Sequence, residues 1–101
     1  MIARLWHGIT PTSKADEYLA YLNRTGIPDY KATPGNLGVT ILQRTDGDQT
    51  HFLLISLWES EEAIRAFAGD AIEVAHYYPE DTAFLLELEP NVVHYQVMAQ
   101  P

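Results

Sequence analysis

The sequence has no cysteine and few basic residues, and both features exclude classes of function. Without cysteine there is no disulfide, no thiolate metal ligand and no cysteine nucleophile. The 101 residues include 6 Lys or Arg and 14 Asp or Glu, giving a formal net charge of −8 at pH 7. A surface of this sign repels the phosphates of nucleic acids and anionic lipid headgroups. We therefore expect neither a nucleic acid nor a membrane among its partners.

Long apolar runs are also absent. The longest, Phe52–Leu57, is interrupted by Ser56 and is far shorter than the ~20 residues of a membrane-spanning helix. The first four residues do not begin a typical signal peptide. Together with the lack of disulfides, these features predict a soluble protein of the cytoplasm.

Apolar and aromatic residues are plentiful. The chain is 47% hydrophobic and includes 2 Trp, 6 Tyr and 3 Phe. A chain of this length and composition can build a core without metal or disulfide support. We see no linker or repeat, and predict one domain spanning residues 1–101.

The periodicity of the apolar residues predicts four strands and three helices. Alternation with a period of two indicates strands at 2–9, 36–44, 50–59 and 91–98. A turn at 46–48 joins the middle two into a hairpin. Helical spacing predicts one helix from a Ser13 cap to Gly26, a second from a Ser60 cap to Gly69, and a short third over 70–76. A connector is expected at 27–34.

The resulting order is β-α-β-β-α-β, which predicts an α+β, ferredoxin-like fold with an antiparallel sheet and helices on one face. The strand at 50–59 is apolar on both of its faces, so the helices alone do not account for it. Covering the second face with another copy of the chain is the economical solution, and we therefore expect a homodimer formed through the sheet.

The segment Leu57-Trp58-Glu59-Ser60-Glu61-Glu62-Ala63, which follows an apolar strand, resembles the antibiotic biosynthesis monooxygenase family. The resemblance implies a dimeric α+β barrel. It also implies one of several activities: some members oxidise phenolic or quinol-like polyketides with O2 and no cofactor, and others bind and degrade haem.

The haem-degrading members use an Asn on the first strand, a Trp on the second helix and a His shortly after it. Here His76 lies near that His position, Phe67 stands at the Trp position, and Leu5-Trp6-His7 offers no Asn. The resemblance therefore favours the cofactor-free chemistry over haem degradation.

His76 is the leading candidate for a catalytic residue. An imidazole titrates near neutral pH and can take a proton from a phenol. We expect Tyr77 and Arg4 to assist by positioning the substrate and by stabilising its anion. The alternative is structural: His76 caps a helix or bonds a tyrosine, and Arg4 pairs with a carboxylate across the dimer.

Five further residues are candidates for binding an aromatic substrate. Trp6, Trp58 and Phe67 provide flat apolar surfaces, and His7 and His94 lie on strands that are neighbours in this fold. The alternative for the two tryptophans is the core or a dimer interface. No His-x-His or His-x3-His spacing occurs, so we predict no metal site. His51 and the Glu80-Asp81 pair are interpreted as solvent-exposed.

The sequence thus predicts a cofactor-independent monooxygenase that acts on a small aromatic or polyketide-like compound. Two alternatives stay open. One is a non-catalytic dimer of the same fold that binds a small hydrophobic ligand, and the other is a haem-binding member of the family.

Overall fold

A computed structural model describes all residues from 1 to 101. The strands are β1 (Ile2–Pro11), β2 (Asn36–Asp46), β3 (Gln49–Trp58) and β4 (Val93–Gln96). The helices are α1 (Ala15–Arg24), α2 (Gly26–Ala32), α3 (Glu61–Ala68) and the single turn α4 (Asp81–Phe84). A 3-10 turn, Thr12–Lys14, precedes α1.

The four strands form one antiparallel sheet in the order β2-β3-β1-β4. The two long strands β1 and β3 lie in the centre, and β4 pairs with the first half of β1. The predicted α+β, ferredoxin-like fold is confirmed. None of the helices combines the length and the apolar character that a membrane crossing requires.

Strict alternation along the central strands separates the two faces of the sheet. On β1 and β3 the even-numbered residues are buried beneath the helices, among them Trp6, Phe52, Leu54 and Trp58. The odd-numbered residues, apart from the exposed Gln49, are half-buried and form the opposite, helix-free face, which we call the open face. The prediction that β3 is apolar on both faces is therefore correct.

The helix α3 is positioned by its two ends. The Ser60 hydroxyl accepts a hydrogen bond from the Ala63 N–H at 3.2 Å, and Gly69 ends the helix with φ 87°. Both predictions are confirmed. At the neighbouring Gly35, a Cβ would lie 2.5 Å from Cβ of Ala63, so a side chain there would push α3 away from the sheet.

The first helical region differs from the prediction. Ser13 is no cap, because α1 begins at Ala15 after the 3-10 turn and has no side-chain cap. Gly26 does not end the helical region but begins α2, in the segment expected to be a connector. Pro28 is tolerated because it lies in the first turn of α2, where backbone N–H groups have no intrahelical partner.

The short helix predicted over 70–76 does not form. Its backbone groups bond to distant parts of the chain instead: the Glu73 carbonyl accepts from Val92 N–H at 2.8 Å, and Ala75 N–H donates to the Pro90 carbonyl at 2.9 Å. The Arg4 guanidinium donates hydrogen bonds to the carbonyls of Ile72 and Val74. Once these groups are committed to other partners, no i to i+4 ladder can be built.

Candidate active site

A small cavity lies between the helix-covered face of the sheet and the helices. The sheet supplies Trp6 and Leu54, and α3 supplies Phe67. The remaining lining residues come from α1, α2 and the segment that follows α3: Tyr18, Leu22, Gly26, Tyr30, His76, Tyr78 and Asp81. Six of the ten are aromatic or histidine side chains, so the chemistry of the cavity is that of stacked rings.

The ring packing is continuous from the core to the surface. Tyr30 stacks on Phe67 with ring centroids 4.4 Å apart, and Phe67 contacts His76 at 5.8 Å. Tyr78 meets the edge of His76 at 5.0 Å. The volume of the cavity is about 20 Å³, which is room for about one water molecule. A flat aromatic ligand therefore enters only if this wall moves.

Trp6 forms the floor of the cavity because Gly8 makes room for it. A Cβ at Gly8 would lie 2.5 Å from the six-membered ring of Trp6. The indole lies 6.5 Å from the ring of Tyr18 and 6.1 Å from that of Tyr77. Its N–H is buried and has no hydrogen-bond partner, which makes it a donor in need of an acceptor.

His76 lies at the mouth of the cavity and is exposed to solvent. Its ring contacts Phe67 and Tyr78, and neither ring nitrogen has a hydrogen bond to the chain. His76 therefore makes no hydrogen bond to a helix end or to a tyrosine, and the structure gives no support to the alternative role of capping a helix or bonding a tyrosine. An imidazole with both nitrogens unengaged can exchange a proton with a ligand.

Asp81 is the acidic side chain of the cavity. The prediction that it is exposed to solvent is wrong. It is 3% exposed. One carboxylate oxygen accepts from the Tyr18 hydroxyl at 3.1 Å, and the other accepts from the Tyr78 N–H at 2.6 Å. Burial raises the pKa of Asp81, and these two hydrogen bonds and the nearby His76 oppose that shift. The Asp81 carboxylate in turn adds to the burial that raises the pKa of Tyr18.

Arg4 is buried behind Phe67, with its guanidinium carbon 5.9 Å from the centre of that ring. It donates to the Ile72 and Val74 carbonyls and to Nε2 of His94, and its Nε has no partner. Burial lowers the pKa of Arg4. Within the chain its partners are therefore carbonyls and an imidazole, and no carboxylate pairs with it.

Tyr77 adjoins the cavity without lining it. Its hydroxyl donates to the Glu89 carbonyl at 2.5 Å, which holds the segment before α4 against the segment before β4. Burial, reinforced by the negative charge of Glu89, raises the pKa of Tyr77 to about 12. Tyr77 therefore stays protonated at neutral pH.

The other candidates lie outside the cavity. Trp58 is completely buried and donates from its indole to the Ser56 hydroxyl at 2.9 Å, so it supports Phe67 from the core. His94 is held by Arg4. His7 lies on the open face, where its ring nitrogens contact Glu89 at 2.6 Å and His51 at 3.0 Å. His51, expected to be solvated, is half-buried in that contact.

Sequence reasoning missed several lining residues, above all Asp81, Tyr18 and Tyr30. Tyr18 belongs to the apolar stripe of α1, which indicates burial but no cavity. Tyr30 lies in the segment predicted to be a connector, which has no helix face, whereas the structure places it in α2. The link between Tyr18 and Asp81 spans 63 residues of chain, and no local pattern signals it.

The fold and the cavity define a class, the small α+β domains that enclose an aromatic pocket between a four-stranded sheet and its helices. The family pattern described as "Antibiotic biosynthesis monooxygenase" matches residues 9–77. The chain belongs to the antibiotic biosynthesis monooxygenase family. No curated protein matches the chain in a sequence comparison.

Solved structures share the fold over almost their whole length. A candidate antibiotic biosynthesis monooxygenase from Nitrosomonas europaea is 21% identical, with a TM-score of 0.69, covering 98% of this chain and 100% of its own. The heme-degrader MhuD from Mycobacterium tuberculosis, with two hemes bound in its active site, is 19% identical with a TM-score of 0.60, covering 100% and 99%. SnoaB, a cofactor-independent oxygenase from Streptomyces nogalater, is 19% identical with a TM-score of 0.57, covering 99% and 93%.

Haem does not fit the residues of this cavity. The closed cavity, about 20 Å³, excludes haem and any smaller aromatic ligand alike, so the charge of its lining decides the question. The charged group in the lining is the carboxylate of Asp81, and no Lys or Arg lines the cavity to pair with haem propionates. The geometry therefore gives no support to the haem-binding alternative.

Proposed function

We propose that the protein is a cofactor-independent monooxygenase that oxidises a small hydroxylated aromatic or polyketide-like compound with O2. The observation that carries this proposal is the aromatic cavity with an unengaged imidazole, His76, at its mouth. Membership of the family supports it, since the family is described by this activity.

His76 takes the proton of a phenolic or enolic hydroxyl, leaving an electron-rich anion. The anion supplies the electrons that reduce O2. For a substrate whose CH2 group becomes C=O, one oxygen atom enters the product, the other leaves as water, and four electrons pass from the carbon to O2.

Arg4 and Tyr77 serve as positioning residues in this proposal. Arg4 holds the backbone at Ile72 and Val74, a few residues before His76, and supports Phe67 from behind. Tyr77 ties the same segment to Glu89. Residues 69–80 contain no helix or regular strand, and we expect this segment to be the part of the wall that moves to admit a ligand larger than the closed cavity.

The test is turnover of an anthrone-type probe, which carries a CH2 group between two aromatic rings and a ketone whose enol tautomer provides the acidic hydroxyl. We expect loss of the probe above its spontaneous oxidation in air, no loss under nitrogen, and one ¹⁸O atom from ¹⁸O2 in the ketone. His76→Ala lowers the rate by about 10²-fold or more, as expected for loss of a general base. His51→Ala is the matched control, because His51 lies on the other face of the sheet.

Unchanged turnover in His76→Ala removes this residue from the mechanism. Binding of the probe without any O2-dependent loss identifies a ligand-binding protein of the same fold and contradicts the monooxygenase proposal.

We also propose that two copies associate through the open face. Leu42, Val93 and Tyr95 are 45%, 51% and 59% exposed there, and Leu53 and Ile55 are half-buried beside them. Strand spacing and rise give this face dimensions of about 20 by 30 Å. That is of the order of the ~800 Å² that one partner buries in a standard interface.

A further inference from the structure

We propose that Asp81 selects the ligand: the cavity accepts a neutral aromatic compound whose free hydroxyl donates a hydrogen bond to the Asp81 carboxylate. The inference rests on the proposed function only in placing an aromatic ligand in this cavity. It does not depend on whether the ligand is then oxidised, and the hydroxyl that donates to Asp81 is not the one that His76 deprotonates at the mouth of the cavity.

The carboxylate is buried without a Lys or Arg to compensate it. It is 3% exposed, and no Lys or Arg lines the cavity or bonds to it. Its two hydrogen bonds, from the Tyr18 hydroxyl and the Tyr78 N–H, use two of about four acceptor positions. A buried carboxylate in this state gains from each further donor, and the cavity is where a further donor can reach it.

The Asp81 carboxylate should give three kinds of ligand different affinities. A hydroxyl donates to the carboxylate, and hydrogen bonds to charged groups are among the strongest in proteins. A methyl ether of the same shape has no proton to donate. A ligand carboxylate brings a second negative charge next to Asp81, where the surroundings screen it poorly. The cavity should therefore bind a phenol more tightly than the methyl ether of the same ring system, and more tightly than the corresponding ring carboxylate.

The probes are 2-naphthol, 2-methoxynaphthalene and 2-naphthoate, titrated by calorimetry under nitrogen at pH 7.5. We expect wild-type protein to bind the naphthol about ten-fold or more tightly than the ether, and the naphthoate most weakly. Asp81→Asn should reduce the naphthol preference to about three-fold or less and improve binding of the naphthoate. Glu80→Gln, a charge change at the adjacent exposed residue, should leave all three affinities as in wild type.

Asn retains an acceptor for Tyr18 or Tyr78, and circular dichroism checks that the variant folds. If the variant does not fold, wild-type protein alone tests the inference. The two measurements are then its order of affinities for the three probes and the pH dependence of its preference for the naphthol. Because burial raises the pKa of Asp81, the naphthol preference should decline on acidification as the carboxylate takes up a proton.

Equal binding of naphthol and ether by wild-type protein, or an unchanged preference in Asp81→Asn, overturns the inference while leaving the cavity as a binding site. No binding of any probe overturns it together with the cavity. A clear hydroxyl preference without O2-dependent turnover supports the inference and contradicts the monooxygenase proposal, so the two can fail separately.

Discussion

At the scale of single residues, the contact between His94 and Arg4 defines a protonation state. A guanidinium only donates hydrogen bonds, so Nε2 of His94, 3.1 Å from Arg4, must be an unprotonated acceptor. Burial, together with the positive charge of Arg4, lowers the pKa of His94 from its ordinary 6.5.

Because of this contact, we expect the free energy of unfolding to decrease on acidification. Below about pH 6.5 the unfolded chain takes up a proton on this histidine and the folded protein resists it, so the free energy of unfolding decreases as pH falls. Above that pH both states are neutral and the contribution is complete. In His94→Gln an amide oxygen replaces the acceptor without titrating.

Urea unfolding of both proteins at several pH values between 5 and 8 measures the effect. Wild-type protein should lose more stability than His94→Gln on going from pH 7.5 to 5.5. Parallel curves for the two proteins would show that His94 does not titrate as the contact requires.

Residue roles were only partly predictable from the sequence. Placing Arg4 on a buried strand position correctly required a partner, but the partners are carbonyls 68 and 70 residues away along the chain. Asp81 beside Glu80 has the pattern of surface charge, and only the approach of Tyr18 shows that it is buried. Such contacts join residues that are far apart in the chain and are determined by the packing of helices and strands against one another. The local sequence around each residue therefore does not indicate them.

At the scale of the elements, the two predicted serine caps give an internal comparison. Ser60 caps α3 through the Ala63 N–H, whereas Ser13 lies in the 3-10 turn and is exposed without a hydrogen bond to a helix end. We expect Ser60→Ala to lower the free energy of unfolding by about 1 kcal/mol, the usual cost of losing a cap.

Ser13→Ala is the matched control and should change stability by less than about 0.5 kcal/mol, as an ordinary surface substitution does. Thermal or urea unfolding of both variants decides the matter. Equal losses in the two variants would mean that the hydroxyl of Ser60 does not act as a cap.

The elements that could be predicted were those whose own residues determine them. The long strands follow from alternation, and their bounds differ from the prediction by two residues or fewer. The helix expected over 70–76 fails because its carbonyls and N–H groups bond to Arg4, Val92 and Pro90. The helix α2 was missed because Gly26 and Pro28 resemble an ending, although both residues also fit a helix start.

At the scale of the whole molecule, the arrangement of the faces links the cavity to self-association. The helices cover one face of the sheet, and the cavity lies on that side. The open face is left with apolar residues in contact with water. The sequence predicted the two-sided apolar strand, but it carried no information on which side the cavity would lie.

A charge placed in the centre of the open face tests the proposed dimer. Ile55 lies on β3 between Leu5 and Thr40, and its side chain is half-buried on that face. A carboxylate at this position stays hydrated in a single copy but is desolvated against a second apolar face, at a cost of several kcal/mol. We therefore expect wild-type protein to have twice the mass of the chain in light scattering at micromolar concentration, and Ile55→Asp to have the mass of one copy.

Gln43→Asp is the matched control for this experiment. It introduces the same charge into the same sheet, at an exposed position with the opposite orientation, since Gln43 pairs with the helix-side residue Phe52. It should leave the mass unchanged, and circular dichroism should show that both variants keep the fold. A monomeric wild-type protein, or dissociation in both variants alike, would contradict association through the open face. Dissociation in Ile55→Asp alone would place the interface there, on the side of the sheet away from the cavity, because only that variant charges this face.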